Sequence, residues 1–278
     1  MKIASRLDER LPMNNGIEIP QVGLGVWRAS DGPETRNAVR WALELGYRSI
    51  DTASLYENEQ SVGQGFRDSG LPREEVFITT KVWNPDQGYE KTLAAFERSL
   101  KKLGLSYVDM YLAHFPVRDL YLDTWRAMEK LYRDGLVRAI GVSNFHPHHL
   151  DTLLQHCQIR PVVNQIELHP YLPQKGNLLH CAARDVLVEA WAPIAKGRVL
   201  AEPVILRLAQ KYGKTPAQIV LRWELQHGII IIPKSVHKER IRENSQIFDF
   251  SLTDDELTDI NGLARNGRIG VDPDLMEY

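Results

Sequence analysis

The sequence predicts an α/β protein whose eight parallel strands close into a (β/α)8 TIM barrel, with an N-terminal β-hairpin and extra C-terminal helices. Short apolar segments alternate with amphipathic segments from about residue 22 onwards. The apolar segments recur roughly every 30 residues, a spacing that suits a closed barrel better than an open sheet. No linker, charge block or low-complexity segment divides the chain, so we expect one domain over residues 1–278.

The first expected element is a hairpin within residues 5–20, because Asn14-Asn15-Gly16 separates two apolar-containing segments and Asn-Gly is typical of hairpin turns. Strands and helices then alternate. Strands are expected at about 22–26, 47–51, 76–80, 108–113, 137–142, 162–166, 186–190 and 229–232. Helices are expected at about 33–45, 57–69, 90–103, 122–133, 147–156, 174–184 and 202–227.

Two capping patterns refine the C-terminal part. Thr215-Pro216 resembles an N-cap followed by the first helical residue, so a new helix should begin inside 202–227. Thr253-Asp254-Asp255-Glu256 is a capping box that should open a last helix at about 254–263. The remaining tail shows no periodicity.

Composition narrows the class of protein. A net charge of −2 argues against a nucleic-acid or membrane-surface partner. Two cysteines, Cys157 and Cys181, make a disulfide framework unexpected and suit a reducing compartment. The N-terminus lacks the apolar stretch of a signal peptide, and no apolar run approaches a membrane span. We therefore expect a cytoplasmic protein.

Four polar residues stand where successive predicted strands end: Asp51, Tyr56, Lys81 and His114. A (β/α)8 barrel carries its chemistry at the carboxyl ends of its strands, so these side chains should meet. A phenol, an ammonium, a carboxylate and an imidazole can together protonate a carbonyl oxygen, which predicts carbonyl reduction. Taken singly, each residue has an ordinary explanation in a turn, in packing or in solvent.

Carbonyl reduction needs a hydride source, usually a nicotinamide cofactor. Gly23-Leu24-Gly25 lacks a third glycine and is better explained as the glycine-rich end of the first strand. The segment 232–244 follows the last strand and opens a helix, where this barrel often binds phosphate. Lys234, Ser235 and Arg240 would supply an ammonium, a hydroxyl and a guanidinium; a solvated basic helix face is the alternative.

Several motifs in order give the chain a specific resemblance. They are Gly46-Tyr47-Arg48-Ser49-Ile50-Asp51-Thr52-Ala53 with Tyr56, Ile78-Thr79-Thr80-Lys81-Val82-Trp83, Gly141-Val142-Ser143-Asn144-Phe145, Asn164-Gln165-Ile166-Glu167-Leu168-His169-Pro170 and Ile232-Pro233-Lys234-Ser235. The chain resembles the aldo-keto reductase superfamily over nearly its whole length, and more closely the bacterial 2,5-diketo-D-gluconic acid reductase branch.

The resemblance implies a monomeric, NADPH-dependent reductase of small polar aldehydes and ketones, such as 2,5-diketo-gluconate, methylglyoxal or related α-dicarbonyls and keto esters. It implies that Tyr56 is the general acid, that Lys81 lowers the pKa of Tyr56, that Asp51 holds Lys81 and that His114 orients the carbonyl. The cofactor-binding residues that it implies are Ser143, Asn144, Gln165, Trp191, Lys234, Ser235, Val236, Arg240, Glu243 and Asn244. The loop 193–200 lies where the family wraps the pyrophosphate.

Some positions depart from the family pattern. Phe115 replaces the usual tryptophan after the catalytic histidine, and Trp191 stands where many members have tyrosine. We expect Trp27, Trp83 and Phe115 to form the substrate pocket. The bordering segments 115–122 and 262–278 are short, which favours small, polar substrates over steroids.

Two other functions and one other site are possible interpretations of these residues. A non-catalytic, cofactor-binding regulatory relative is disfavoured by the intact set of four residues. An aldolase-type Schiff base on Lys81 is disfavoured by the neighbouring carboxylate. His146-Pro147-His148-His149 has poor ligand spacing and no accompanying carboxylates, so no metal is expected.

Overall fold

A two-stranded hairpin begins the computed structural model, which describes residues 3–276 of the chain. Strands β1 (Arg10–Pro12) and β2 (Glu18–Pro20) pair antiparallel around a turn in which Gly16 has a φ of 81°. Leu11 and Ile19 pack into an apolar cluster with the barrel residues Phe77 and Met110. The predicted hairpin is confirmed, and it covers the amino-terminal end of the barrel.

Eight parallel strands follow in one sheet, ordered as they occur in the chain. They are β3 (Leu24–Gly25), β4 (Ser49–Asp51), β5 (Phe77–Val82), β6 (Val108–Ala113), β7 (Val137–Ser143), β8 (Val163–Glu167), β9 (Leu187–Trp191) and β10 (Ile230–Ile231). Parallel bridges from Val22 to Ile231 and from Gly25 to Lys234 join the first strand to the last. The predicted (β/α)8 barrel is therefore confirmed.

The seam between β3 and β10 explains the two glycines of the first strand. A Cβ on Gly25 would lie 2.6 Å from the carbonyl oxygen of Ile232, and one on Gly23 would lie 2.9 Å from Ser49 Oγ. Gly25 therefore allows the two backbones to approach closely at the seam, and Gly23 leaves room for the side chain of Ser49 on β4. Gly23-Leu24-Gly25 is thus a closing strand of the barrel, as expected, and its glycines serve close packing.

Ten α-helices lie outside and beyond the strands within residues 3–276. They are α1 (Pro33–Glu44), α2 (Glu59–Asp68), α3 (Tyr89–Leu103), α4 (Tyr121–Arg133), α5 (Pro147–His156), α6 (Lys175–Ala182), α7 (Pro203–Tyr212), α8 (Pro216–Gln226), α9 (Lys238–Ser245) and α10 (Asp254–Asn261). Both predicted helix starts are confirmed, because Thr215 and Thr253 each cap a helix through a capping box. None of these helices combines the length and apolar character needed to cross a bilayer.

Strand boundaries differ from the sequence prediction in ways that matter for the site. The run 76–80 was expected to end before Lys81, but β5 continues through Val82 and Lys81 is an interior strand residue. The first and last strands are shorter than 22–26 and 229–232, since only bridges extend them at the seam. Lys81 therefore points into the barrel from a rigid strand instead of from a loop.

Candidate active site

The four residues predicted to be catalytic meet at the carboxyl end of the barrel. Asp51 is the last residue of β4, and Tyr56 ends a short 3-10 turn that follows it. Lys81 lies in β5, and His114 comes directly after β6. Parallel neighbouring strands bring these positions to one edge, so the arrangement follows from the topology.

The ammonium of Lys81 is fully hydrogen-bonded inside the barrel. Its Nζ donates to Asp51 Oδ1 at 2.6 Å, to the Thr52 carbonyl at 2.9 Å and to Tyr56 Oη at 3.3 Å. An ammonium has three hydrogens, and each has a partner here. The hydroxyl oxygen of Tyr56 therefore accepts from Lys81, which leaves the phenolic hydrogen free to face a ligand.

Charge and burial have opposite effects on the pKa values of Lys81 and Tyr56. Burial is the largest single effect on the pKa of Lys81 and lowers it, but the charge and hydrogen bond of Asp51, with the smaller effects of Tyr56 and Glu189, together raise it above its usual value. Burial raises the pKa of Tyr56 to about 12, whereas the Lys81 ammonium acts to lower it. The expected lowering of the Tyr56 pKa is thus only one of two opposed effects, and burial exceeds it here. A lysine held protonated by three hydrogen bonds is also a poor Schiff-base nucleophile.

His114 is an uncharged imidazole at this site. Burial and then the nearby Lys81 charge hold its pKa well below the usual range. Its Nδ1 is buried and has no hydrogen-bond partner in residues 3–276. Its ring lies 5.8 Å from that of Tyr56, centroid to centroid, in an edge-on arrangement. A neutral ring beside the phenol can donate one hydrogen bond to a carbonyl oxygen.

The residues predicted to hold the nicotinamide end form one network beside His114. Asn144 Nδ2 donates to the His114 carbonyl and to Ser143 Oγ, and Trp191 Nε1 donates to Asn144 Oδ1 at 2.9 Å. Ser143 Oγ donates to the Gln165 carbonyl. Asn144 has a left-handed φ of 63°, which asparagine tolerates better than most residues. The ends of β7, β8 and β9 are thereby locked together.

The amide of Gln165 is oriented by two carboxyl groups. Its Nε2 donates to Asp51 Oδ2 and to Glu189 Oε2, both at 2.9 Å. These bonds use both amide hydrogens and leave Oε1 without a partner among the residues that the structure describes. This free amide oxygen lies next to the four residues predicted to be catalytic, which we call the tetrad. It fits a carboxamide N–H donor, as a nicotinamide provides.

The predicted phosphate and adenosine residues lie at the barrel seam and on α9. They are Lys234, Ser235, Val236, Arg240, Glu243 and Asn244. Lys234 and Arg240 are exposed, and neither forms a salt bridge within residues 3–276. Two exposed cations that are not committed to salt bridges within the described residues fit an anionic group. Glu243 differs, because its Oε1 accepts from Thr215 Oγ1 at 2.7 Å and is engaged with the start of α8.

The loop after β9 has an unusual backbone. Ala192, Ala195 and Lys196 all have positive φ values, of 54°, 49° and 53°. Left-handed conformations are costly for residues with a Cβ and cluster at binding loops. This loop follows Trp191 directly and includes the segment 193–200, which the resemblance places around a pyrophosphate.

Aromatic rings border the tetrad. Trp27 packs against Tyr56 with 4.7 Å between ring centroids, and Trp83 lies 5.1 Å from His114. Phe115 lies 5.7 Å from His114 and 6.2 Å from Trp83. The three residues predicted to form the pocket thus surround the phenol and the imidazole. A separate cavity of about 470 Å³ lies away from these rings, between α1 and α2.

The C-terminal tail crosses the mouth of the site. Glu167 at the end of β8 accepts hydrogen bonds from the backbone N–H groups of Ile269 and Gly270, at 2.6 and 2.9 Å. Asn84, next to Trp83, donates to the sulfur of Met276 at 3.7 Å. Residues 277–278, the end of the tail predicted to border the pocket, lie outside the described residues. Glu167 belongs to one of the motifs that carry the family resemblance, but no pattern in the sequence predicts that it holds the tail.

The histidine cluster at the start of α5 has carboxylate neighbours, contrary to expectation. Asp272 lies 3.1 Å from His146 Nε2, and Asp274 lies 3.2 and 3.4 Å from His148 and His149. The prediction that no carboxylates accompany these histidines is therefore wrong, because Asp272 and Asp274 of the tail lie beside them. His149 Nδ1, however, accepts from the backbone N–H of His146. The proton of a neutral His149 ring is then on Nε2, which makes that nitrogen a donor to Asp274 and not a metal ligand.

Glu189 is the buried residue at this site that sequence reasoning missed. It is 1% exposed and belongs to the apolar strand β9. A carboxyl group in an otherwise apolar run was the available signal, because glutamate is almost never fully buried without a partner.

The chain is similar in sequence and in fold to known aldo/keto reductases. The chain matches the Aldo/keto reductase family over residues 21–265. It is 56% identical to a 9,11-endoperoxide prostaglandin H2 reductase of Trypanosoma cruzi, covering 94% of each chain. It is 51% identical to a glyoxal reductase of Bacillus subtilis, covering 98% of this chain and 99% of that one. A crystal structure of a Bombyx mori aldo-keto reductase in complex with NADP superimposes with a TM-score of 0.91 at 39% identity, covering 97% of each.

Proposed function

The chain belongs to the aldo/keto reductase family, and on that premise we propose that it reduces small polar aldehydes and ketones with NADPH. The observation that carries the proposal is the hydrogen-bonding of Lys81, whose ammonium contacts both Asp51 Oδ1 and Tyr56 Oη. This contact leaves the phenolic hydrogen of Tyr56 available beside an uncharged His114. That combination suits proton delivery to a carbonyl oxygen.

Each side chain has a distinct part in the proposed reaction. His114 donates a hydrogen bond that fixes the carbonyl oxygen within reach of Tyr56. Tyr56 donates its proton to that oxygen, and Lys81, held charged by Asp51, stabilises the phenolate that remains. NADPH, when bound, supplies the hydride. Ser143, Asn144, Gln165 and Trp191 would hold its nicotinamide end, and Lys234 with Arg240 its 2′-phosphate.

The border of the site favours small substrates. The aromatic wall formed by Trp27, Trp83 and Phe115 is open, with Trp27 41% exposed. The bordering segments 115–122 and 262–278 are short and bury little ligand surface, so large apolar substrates gain little binding energy. We expect methylglyoxal, 2,5-diketo-gluconate and small activated ketones to outperform steroid ketones in kcat/KM. The glyoxal reductase among the relatives supports the α-dicarbonyl class.

The proposal is tested by following NADPH oxidation with 2,5-diketo-gluconate, methylglyoxal, simple aldehydes, keto esters and a steroid ketone. Turnover best with the small dicarbonyls supports it, and a steroid ketone better by tenfold or more contradicts the pocket argument. NADPH binding without turnover of any substrate would indicate the non-catalytic, regulatory alternative.

The role of Tyr56 has a separate test. Tyr56→Phe should keep NADPH affinity but lower kcat by about 10²–10⁴-fold, the usual effect of losing a positioned general acid. Tyr111→Phe is the matched control, because Tyr111 is buried away from the site and its hydroxyl has no partner in residues 3–276. A Tyr56→Phe variant that retains half of the unsubstituted kcat would refute the assignment.

A further inference from the structure

A chain of hydrogen bonds connects the buried Glu189 to the proposed acid. Glu189 Oε2 accepts from Gln165 Nε2, which also donates to Asp51 Oδ2. Asp51 Oδ1 accepts from Lys81 Nζ, and Lys81 Nζ donates to Tyr56 Oη. Every member is supplied by the barrel wall or by the turn that follows β4. A change of charge at Glu189 therefore acts on the same hydrogen-bonded chain as Tyr56.

The charges along this series of hydrogen bonds do not balance if Asp51 and Glu189 are both ionised. Lys81 is its single cation and is bound to Asp51, while Glu189 has no salt bridge in residues 3–276. Burial, followed by the charge of Asp51, raises the pKa of Glu189 to about 8. In the strands that pair with β9, the residues directly opposite Glu189 are uncharged: β10 places Ile230 there and β8 places Gln165. The carboxylate of Glu167, also on β8, is engaged by His169 and the tail.

The geometry points to Glu189 as a positioning residue of the reaction: its neutral acid form orients Gln165 and leaves Lys81 to Asp51 and Tyr56, and its ionisation weakens Tyr56 as an acid. This inference rests on the proposed reductase function. Glu189 need not touch substrate, because its effect reaches Tyr56 through Gln165, Asp51 and Lys81. The decline of carbonyl reduction at high pH is then set by Glu189, which is not one of the four residues predicted to be catalytic.

The sign of the pH effect follows from the charges. Below about pH 8, Glu189 is neutral and adds no charge near Tyr56. Above that pH, a second carboxylate near Tyr56 and Lys81 stabilises their protonated forms and raises both pKa values. A weaker acid transfers its proton more slowly, so reduction should decline above about pH 8.

Glu189→Gln distinguishes the role of Glu189 as a hydrogen-bond acceptor from its role as an ionisable group. The glutamine keeps an oxygen that can accept from Gln165 but cannot ionise. We expect kcat at pH 7 within about threefold of the unsubstituted enzyme, and an alkaline decline displaced upward by about one pH unit, which corresponds to about a tenfold higher rate in the affected range. Rates are taken from single-turnover NADPH oxidation with methylglyoxal, with 4-deuterated NADPH to verify that hydride transfer is observed.

Glu224→Gln is the matched control. Glu224 in α8 is also fully buried, and burial likewise raises its pKa well above the usual value, but it has no hydrogen bond to the tetrad. Glu224→Gln should leave the alkaline decline in place. Because a substitution in the core can impair folding, the unsubstituted protein gives a second measurement: the infrared C=O band of protonated carboxyl groups should lose intensity near pH 8.

The outcomes separate this inference from the proposed function. An unsubstituted enzyme that reduces methylglyoxal while Glu189→Gln shows the same alkaline decline overturns the inference alone. So does an equal displacement by Glu224→Gln, or an infrared band unchanged between pH 6 and 10. Absence of NADPH-dependent reduction by the unsubstituted enzyme at every pH refutes the proposed function instead.

Discussion

At the residue scale, Lys81 has a structural role as well as a chemical one. Lys81→Met should abolish reduction almost as completely as Tyr56→Phe, because the phenol loses the ammonium that stabilises its phenolate. It should also destabilise the fold by about 3–5 kcal/mol, since it leaves the buried Asp51 carboxylate without its cation. Equilibrium denaturant unfolding, beside steady-state rates, measures both effects.

A double substitution distinguishes the two effects of losing Lys81. Lys81→Met with Asp51→Asn removes both charges and keeps an oxygen for Gln165, so most of the lost stability should return while activity stays absent. Lys101→Met, on the exposed side of α3, controls for losing a lysine as such. A Lys81→Met variant as stable as the unsubstituted protein would show that the ion pair is not needed for folding.

The residues of the site were predictable to different degrees. Asp51, Tyr56 and His114 could be placed because each ends or follows a recognisable apolar strand. The sequence pattern places Lys81 just after the end of its strand, although Lys81 lies inside β5. The polar residues Thr79 and Thr80 obscure the continuation of this strand to Val82. The balance between burial and charge at Tyr56 was not predictable, since it depends on how closely the barrel surrounds the phenol.

At the element scale, the start of α9 and the segment between β10 and α9 should determine cofactor preference. Lys234→Gln and Arg240→Gln should each raise the Kd for NADPH by about ten- to a hundredfold, because a charge-assisted phosphate contact contributes about 1.5–3 kcal/mol. The Kd for NADH should change less than threefold, since NADH lacks the 2′-phosphate. Fluorescence titration at one fixed salt concentration measures both constants.

Arg242→Gln is the control for this prediction. Arg242 is exposed on the same helix and carries the same charge, but two residues along an α-helix turn the side chain by about 200°. It should leave the ratio of the two constants unchanged. Equal affinity of the unsubstituted protein for NADPH and NADH would refute the phosphate assignment.

The alternation of elements was predictable, and the long-range contacts between them were not. Apolar and amphipathic periodicity identified the barrel strands and most helices, because each pattern is local. The tail contacts join residues far apart in the chain: Glu167 and Ile269 are separated by 102 positions, and His146 and Asp272 by 126. No local pattern encodes such pairs, so the carboxylates beside the histidine cluster went unnoticed.

At the scale of the whole molecule, closure of the barrel depends on the contact between the first and last strands. That seam also positions Lys234, which forms a bridge with Gly25 and is proposed to bind phosphate. On that proposal, stability of the fold and cofactor binding are coupled at the seam. A change at the seam should affect both, whereas an equivalent change in a peripheral helix should affect neither binding nor closure.

Gly25→Ala tests this coupling. Its Cβ would lie 2.6 Å from the Ile232 carbonyl, a backbone atom that can move only if the strands separate. We expect a loss of about 1–3 kcal/mol in unfolding free energy, as for overpacked sites, together with weaker NADPH binding. Gly176→Ala in α6 is the matched control, because nothing lies within 4 Å of its added Cβ. That variant should gain about 0.4–1 kcal/mol and bind NADPH normally. If Gly25→Ala is as stable as Gly176→Ala in thermal unfolding, the close approach of the strands is not what closes the barrel.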